Sequence, residues 1–285
     1  VKNIPHEEIL TLEEICRIAG VMGELGVSKI RLTGGEPLVR KGFTDLVRVL
    51  GQIPSLKEVT LTTNGVNLAD NISSLWQYGV KRVNVSLDTL DRQVFSHLTG
   101  SDKLDKVLKG IDQAYEQGMG IRINCVPILG INENELCALA AIAEKRRIDV
   151  RFIELMPVGC GRTMTGIPSD NVLDMLEKHF GKAQKSVITD ISSPAVYYRF
   201  NGFEGNIGFI SPMTHKFCEH CNRLRLTSDG FLKLCLQYPA GIDLKTPLRQ
   251  GVTDKVLADM ILDSIQKKPL AHSFTRECEG DTRKM

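Results

Sequence analysis

Three cysteines near the end of the chain have the spacing of a metal centre. Cys218 and Cys221 form a C-x2-C pair inside the stretch FCEHCNRLRLTSDGFLKLC, and Cys235 follows after thirteen more residues. A C-x2-C turn brings two thiolates round one metal, and soft sulfur ligands select zinc or iron–sulfur clusters. A closed structural zinc takes four ligands, and no second C-x2-C or H-x3-H pair completes such a set here. His215 and His220 stand nearby, but His220 sits inside the tight turn, where its ring would have to point away. Three thiolates suit a 4Fe–4S cluster with one iron open to an outside ligand. A zinc site and three unrelated thiols are the alternatives.

Two cations lie between the second and third cysteines. Arg223-Leu224-Arg225-Leu226 reads as a strand with both guanidiniums on one face and the leucines on the other. Fixed guanidinium forks beside a metal site suit bidentate capture of phosphate oxygens. The plainer alternative is the solvated face of an edge strand.

Helix-like and strand-like segments alternate upstream. Residues 11–25 have acidic residues in the first turn, apolar residues at helical spacing and Gly26 as a stop. Strands are predicted at 29–33, 58–62, 82–87, 121–126 and 150–155, and further helices at 44–50, 72–78, 104–117, 134–145 and 171–180. Alternation at this spacing points to parallel βα units, in an open sheet or a barrel. At period two, one strand face carries Lys29, Arg31 and Thr33; then Thr60, Thr62 and Asn64; then Asn84, Ser86 and Asp88; then Arg122 and Asn124. The other face is aliphatic. A closed (β/α)8 barrel fills its interior with branched apolar side chains. Unpartnered burial of so many polar groups would cost about 1–3 kcal/mol each. The expectation is therefore α/β, an incomplete (β/α) barrel with a wide polar lumen. An antiparallel sheet with one face in water is the competing reading.

Leu32-Thr33-Gly34-Gly35-Glu36-Pro37 ends the first strand, on the face where barrel active sites lie. Paired glycines let backbone approach a ligand, and Glu36 offers an acceptor for an ammonium group. After Leu155 the βα rhythm weakens. Residues 156–165 are Gly-rich, hold a lone Cys160 and read as a mobile loop; short strands follow at 196–200 and 206–210, and a helix at 253–267. A division near 181 gives a partial barrel over 1–181 and a smaller unit over 182–285 that carries the cysteine site. The polar tail 271–285, with an unpaired Cys278, reads as frayed.

Composition narrows the partners. The chain has 285 residues, room for one large barrel or two domains, with 36 Lys and Arg against 34 Asp and Glu, a net charge of +2. That balance gives no argument for a nucleic-acid or membrane partner. No apolar run reaches bilayer length, and no signal peptide opens the sequence. Eight irregularly spaced cysteines do not make a disulfide scaffold at this length, so a reducing compartment is expected: cytoplasm, or mitochondrial matrix in a eukaryote.

With KIRLTGGEP, LTTNG, NVSLDTL, RFIELMPVG and FCEHCNRLRLTSDGFLKLCL in this order, the chain closely resembles the GTP 3′,8-cyclases of molybdenum cofactor biosynthesis, a radical S-adenosylmethionine (SAM) family. The resemblance implies two 4Fe–4S clusters, with Cys218, Cys221 and Cys235 ligating the second, whose open iron meets the guanine. It implies SAM contacts from Gly35, Ser86 and Met156, with Glu36 near the amino group of SAM. Arg31, Thr62, Arg122, Arg223 and Arg225 would hold GTP, with Lys29 and Arg151 lining the same cavity. The family usually has Lys where Arg122 stands, which keeps the charge and changes the geometry. The implied reaction is radical. SAM is reduced to a 5′-deoxyadenosyl radical that removes the 3′ hydrogen of GTP, and C3′ then joins C8 to give 3′,8-cyclo-7,8-dihydro-GTP. A separate cyclic pyranopterin monophosphate synthase consumes that product; a reductant protein and a homodimer complete the implied partners.

Two features depart from the pattern. The family's first cluster uses C-x3-C-x2-C, which does not occur here; Cys16 stands alone in a predicted helix. The expectation is that this segment precedes Val1 and that the chain as given is inactive alone. The family's Gly-Gly terminus is also lacking, since the sequence finishes Arg283-Lys284-Met285. The competing functions are another radical SAM enzyme with an auxiliary cluster, such as a peptide maturase, and a non-catalytic zinc-containing binding protein.

Overall fold

The computed structural model describes residues 4–186 and 194–271. The tail with Cys278 lies outside the described residues, except for Ala271, and so does the side chain of His220. Helices are α1 Leu12–Glu24, α2 Phe43–Leu50, α3 Leu68–Gln77, α4 Arg92–Thr99, α5 Leu104–Glu116, α6 Leu136–Ala140, α7 Ser169–Phe180, α8 Lys245–Arg249 and α9 Asp254–Ile265. Strands are β1 Lys29–Leu32, β2 Glu58–Thr63, β3 Arg82–Ser86, β4 Gly120–Cys125, β5 Ile148–Ile153, β6 Gln184–Ser186, β7 Val196–Arg199, β8 Ile207–Ile210, β9 Arg225–Leu226, β10 Phe231–Lys233 and β11 Gly241–Asp243.

The larger sheet has the order β1-β2-β3-β4-β5-β8-β7-β6. Its strands β2 to β5 and β8 run parallel, whereas β7 and β6 return antiparallel. The order ends on β1 and β6, so the sheet does not close, and the fold is the incomplete α/β barrel that the alternation predicts. Compact packing divides the chain into two interleaved units: residues 1–60, 77–80 and 218–285, and residues 61–76 and 81–217.

In the first unit, Thr11 and Glu14 make a reciprocal capping box that starts α1. The apolar stripe of α1 (Ile18, Val21, Met22) packs with Leu257 and Ile261 of α9, Leu232 of β10 and Leu244 into one core. The short antiparallel sheet β11-β10-β9 is thereby held on the same core as the helix that begins the chain. That shared burial places the arginine stretch after the C-x2-C pair on a fixed base.

In the second unit, strand register sorts polar from apolar. Thr62, Asn84, Arg122 and Asp149 lie side by side, and so do Ser86, Asn124, Arg151 and Gly208. The intervening rows are Leu61, Val83, Ile121 and Ile148, then Thr63, Val85, Ile123, Val150 and Ile207. All of these apolar side chains are buried. A one-residue slip would exchange the faces, so the aliphatic rows fix the placement of the polar ones.

Candidate functional site

The first unit carries the thiols and three of the candidate arginines. Cys218–His220 is one 3-10 turn, closed by the Cys221 N–H on the Cys218 carbonyl at 3.0 Å. The predicted Arg223–Leu226 strand is shortened to Arg225–Leu226, which pairs with Lys233 and Leu232. Lys268 Nζ explains the difference. It donates to the carbonyls of Cys221 (2.7 Å) and Arg223 (2.8 Å), engaging the segment before β9 from the side instead of in a ladder. Arg223 therefore stands before the strand and not on its face.

Electrostatics here favour thiolate and anion. Burial opposes ionisation of Cys221, but the Arg223 N–H, the Arg223 guanidinium and the Lys268 ammonium together hold its thiol below the ordinary range. Thiolate is the form that ligates metal. Arg225 is exposed, yet enough protein crowds its guanidinium to lower its pKa by desolvation, and repulsion from Arg223 and Arg31 lowers it further. The Cys221 and Cys235 thiols act on Arg225 in the opposite direction, so both sulfurs and all three arginines share one local field. Among the described residues, no three His, Cys, Asp or Glu side chains converge on a single metal ion. A cubane cluster spreads its thiolates more widely than one tetrahedral ion does, and three soft donors with an activated thiol fit its chemistry.

The other candidates in this unit lie near β1. Lys29 is ion-paired with Glu58 at 2.8 Å. Gly34 has φ +147°, a conformation that favours glycine, and a side chain added at exposed Gly35 would meet nothing within 4 Å. Glu36 is half-buried, and its Oε1 accepts from Leu38 N at 3.0 Å, capping the short turn Pro37–Val39.

The second unit brings its candidates onto one sheet face. Arg151 is almost wholly buried; its Nε donates to Asn124 Oδ1 (2.9 Å) and its Nη2 to Asn84 Oδ1 (2.6 Å). Asn84 in turn donates to the Leu61 carbonyl at 2.9 Å. Arg122, also buried, has its Nε 3.5 Å from Asp149 Oδ2. Asp149 Oδ1 accepts from Asn206 Nδ2 at 2.9 Å. Thr62 is half-buried in the same row, and Ser86 is exposed at the end of β3. Asp149 of this row also lines a cavity of about 440 Å³, with Arg147, Arg199, Glu204 and Asn206 among others, at the starts of β5 and β8.

Glu154, one residue beyond β5, was not singled out by the sequence reading. It is buried, with Oε1 accepting from Ser169 N (3.1 Å) and Thr214 Oγ1 (2.5 Å), and Oε2 accepting from Met213 N (2.9 Å) and Thr214 N (3.0 Å). Burial pushes its pKa up, but these four donors outweigh it and hold the carboxyl below its usual range. It ties the exits of β5 and β8 to the start of α7, next to half-buried Met156. The visible signal is a carboxylate between Ile153 and Leu155 at the end of an apolar strand. The glycine-rich loop beyond it contains a 3-10 turn at Gly159–Arg162.

The open, mostly parallel sheet belongs to the radical SAM class, as comparison with known families shows. The Radical SAM superfamily model matches residues 2–143, and the Molybdenum Cofactor Synthesis C model matches residues 148–274. A GTP 3′,8-cyclase of Clostridium perfringens (strain SM101 / Type A) is 41% identical over 288 residues, covering 99% of this chain and 88% of that protein. A GTP 3′,8-cyclase of Peptoclostridium acidaminophilum is 48% identical over 270 residues, covering 94% of this chain and 82% of that protein. Streptococcus suis SuiB has a similar fold, with a TM-score of 0.61 at 17% identity over 92% of this chain and 60% of SuiB. The chain belongs to the GTP 3′,8-cyclase family.

Proposed function

We propose that this protein is a radical SAM GTP 3′,8-cyclase, converting GTP to 3′,8-cyclo-7,8-dihydro-GTP in the first step of molybdenum cofactor biosynthesis. The observation that carries the reading is the 41% and 48% identity, over nearly the whole chain, to proteins named GTP 3′,8-cyclase; the repulsion of Arg225 by Arg223 and Arg31 beside the Cys221 and Cys235 thiols, which a polyphosphate would relieve, agrees with it. Cys218, Cys221 and Cys235 would hold the second 4Fe–4S cluster. Gly35, Glu36, Ser86 and Met156 would hold SAM. Lys29, Arg31, Thr62, Arg122, Arg151, Arg223 and Arg225 would hold GTP. When bound, the clusters and SAM supply hydrogen-abstracting radical chemistry. The chain's own contribution is to clamp the triphosphate with guanidiniums, present the ribose to SAM and keep water away. The cyclic product would pass to a cyclic pyranopterin monophosphate synthase, and a reductant protein would supply electrons. A cytoplasmic setting completes the reading. Among the described residues no helix is long and apolar enough to cross a membrane.

Anaerobic purification, iron and sulfide analysis and calorimetric titration with GTP test it. Iron, sulfide and saturable GTP binding are expected. Zinc without iron or sulfide would overturn the cluster assignment, and binding of a peptide in place of GTP would move the protein to the maturases.

A further inference from the structure

Tyr197 of β7 carries a buried polar group with no evident task. It is 3% exposed, and its hydroxyl has no hydrogen-bond partner among the described residues. Buried tyrosine hydroxyls ordinarily find a partner, and one left unmatched forfeits a sizeable share of a domain's small net stability. Phenylalanine would fill the same volume without that loss.

Its position gives the hydroxyl a use. Tyr197 pairs with Gly208, which pairs with Arg151, so the ring belongs to the polar row of the sheet. A side chain at Gly208 would stand 2.8 Å from Tyr197 Cε1 and 2.9 Å from Arg151 Cγ. The bare glycine is what lets the ring and the arginine stem share that space. The Arg122 guanidinium lies 6.0 Å from the ring centroid. The ring of a phenol that needs a partner thus lies beside the stem of one buried arginine and near the guanidinium of another, and for such a hydroxyl an anionic oxygen is the best acceptor.

We propose that Tyr197 is a further substrate-contacting residue, its hydroxyl donating a hydrogen bond to a phosphate oxygen of the nucleotide beside Arg122 and Arg151. The assignment rests on the nucleotide reading of this face. It is tested by Tyr197→Phe in the protein carrying its clusters, through melting temperature without ligand and dissociation constants for GTP and tripolyphosphate. The expected result is an unchanged or higher melting temperature with GTP and tripolyphosphate both bound about 10- to 100-fold more weakly. Three results overturn it: GTP affinity within twofold of the parent protein, a lower melting temperature without ligand (a structural partner such as bound water), or tripolyphosphate affinity that is the same or absent in both proteins. If the parent protein itself fails to bind GTP, the nucleotide reading falls first and this assignment with it.

Discussion

Arg151 of β5 reaches across β4 to Asn84 of β3, with Nη2 2.6 Å from Asn84 Oδ1. With Asn84 donating to the Leu61 carbonyl and Arg151 Nε donating to Asn124, a hydrogen-bonded chain links β2 to β5. Part of the polar face therefore holds its own shape before any ligand arrives. Asn84→Ala should leave a buried guanidinium short of an acceptor and lower stability by about 2–3 kcal/mol. Urea unfolding measures it. A midpoint unchanged from the parent would mean that the link carries no stability.

Glu154 makes a pH-dependent contribution of the opposite kind to most buried charges. Its folded pKa is depressed, so the stabilisation is present above the unfolded value of about 4.3 and is lost as pH falls through the lower folded value. Glu154→Gln should cost about 2–3 kcal/mol at neutral pH, with the deficit shrinking below about pH 4. Unfolding free energies measured from pH 3 to 7 check both points. A deficit that stays constant with pH would place the loss in packing and not in charge.

Asp88 should show the reverse sign. Burial raises its pKa, and the Val126 N–H at 2.7 Å on Oδ1 offsets this only in part. The cost of burying the charge is absent below the unfolded pKa of about 3.9 and grows as pH rises through the folded value. Asp88→Asn keeps an oxygen for Val126 and should stabilise the protein at neutral pH by about 1 kcal/mol, converging with the parent in acid. A variant less stable than its parent at pH 7 would show that the carboxylate has a partner worth more than its desolvation.

The sheet was legible because its two faces differ residue by residue. Period-two alternation in Val83-Asn84-Val85-Ser86 and Ile121-Arg122-Ile123-Asn124 gives both the strand and its orientation. Helix α4 escaped notice because Arg92–Thr99 buries only Phe95, so its apolar signal is slight. The short β9 was overestimated because alternation reads side chains, whereas Lys268, more than forty residues downstream, engages the carbonyls preceding it. Arg151 is expected in the cavity only from the family resemblance, and its bonds to Asn84 and Asn124 appear only in three dimensions. Glu154 is visible as a carboxylate just past β5, but its four donors come from segments 15 to 60 residues away.

The arginines beside the thiols can be separated from the metal by experiment. The Cys221 and Cys235 thiols act on Arg225 through charge, whereas Arg223 donates to Cys221. Neither arginine is a soft ligand, so Arg223→Ala and Arg225→Ala should both keep iron and sulfide at parent levels. Each removes one charged fork from a cluster of three guanidiniums, and GTP affinity should fall about 10- to 100-fold, the equivalent of a single charge-assisted hydrogen bond. The loss should lessen in high salt, because the interaction is electrostatic and Arg225 is exposed. Iron quantitation and GTP titration at two ionic strengths distinguish the cases: iron lost with GTP affinity intact would make these residues guardians of the cluster and would leave the triphosphate to other side chains.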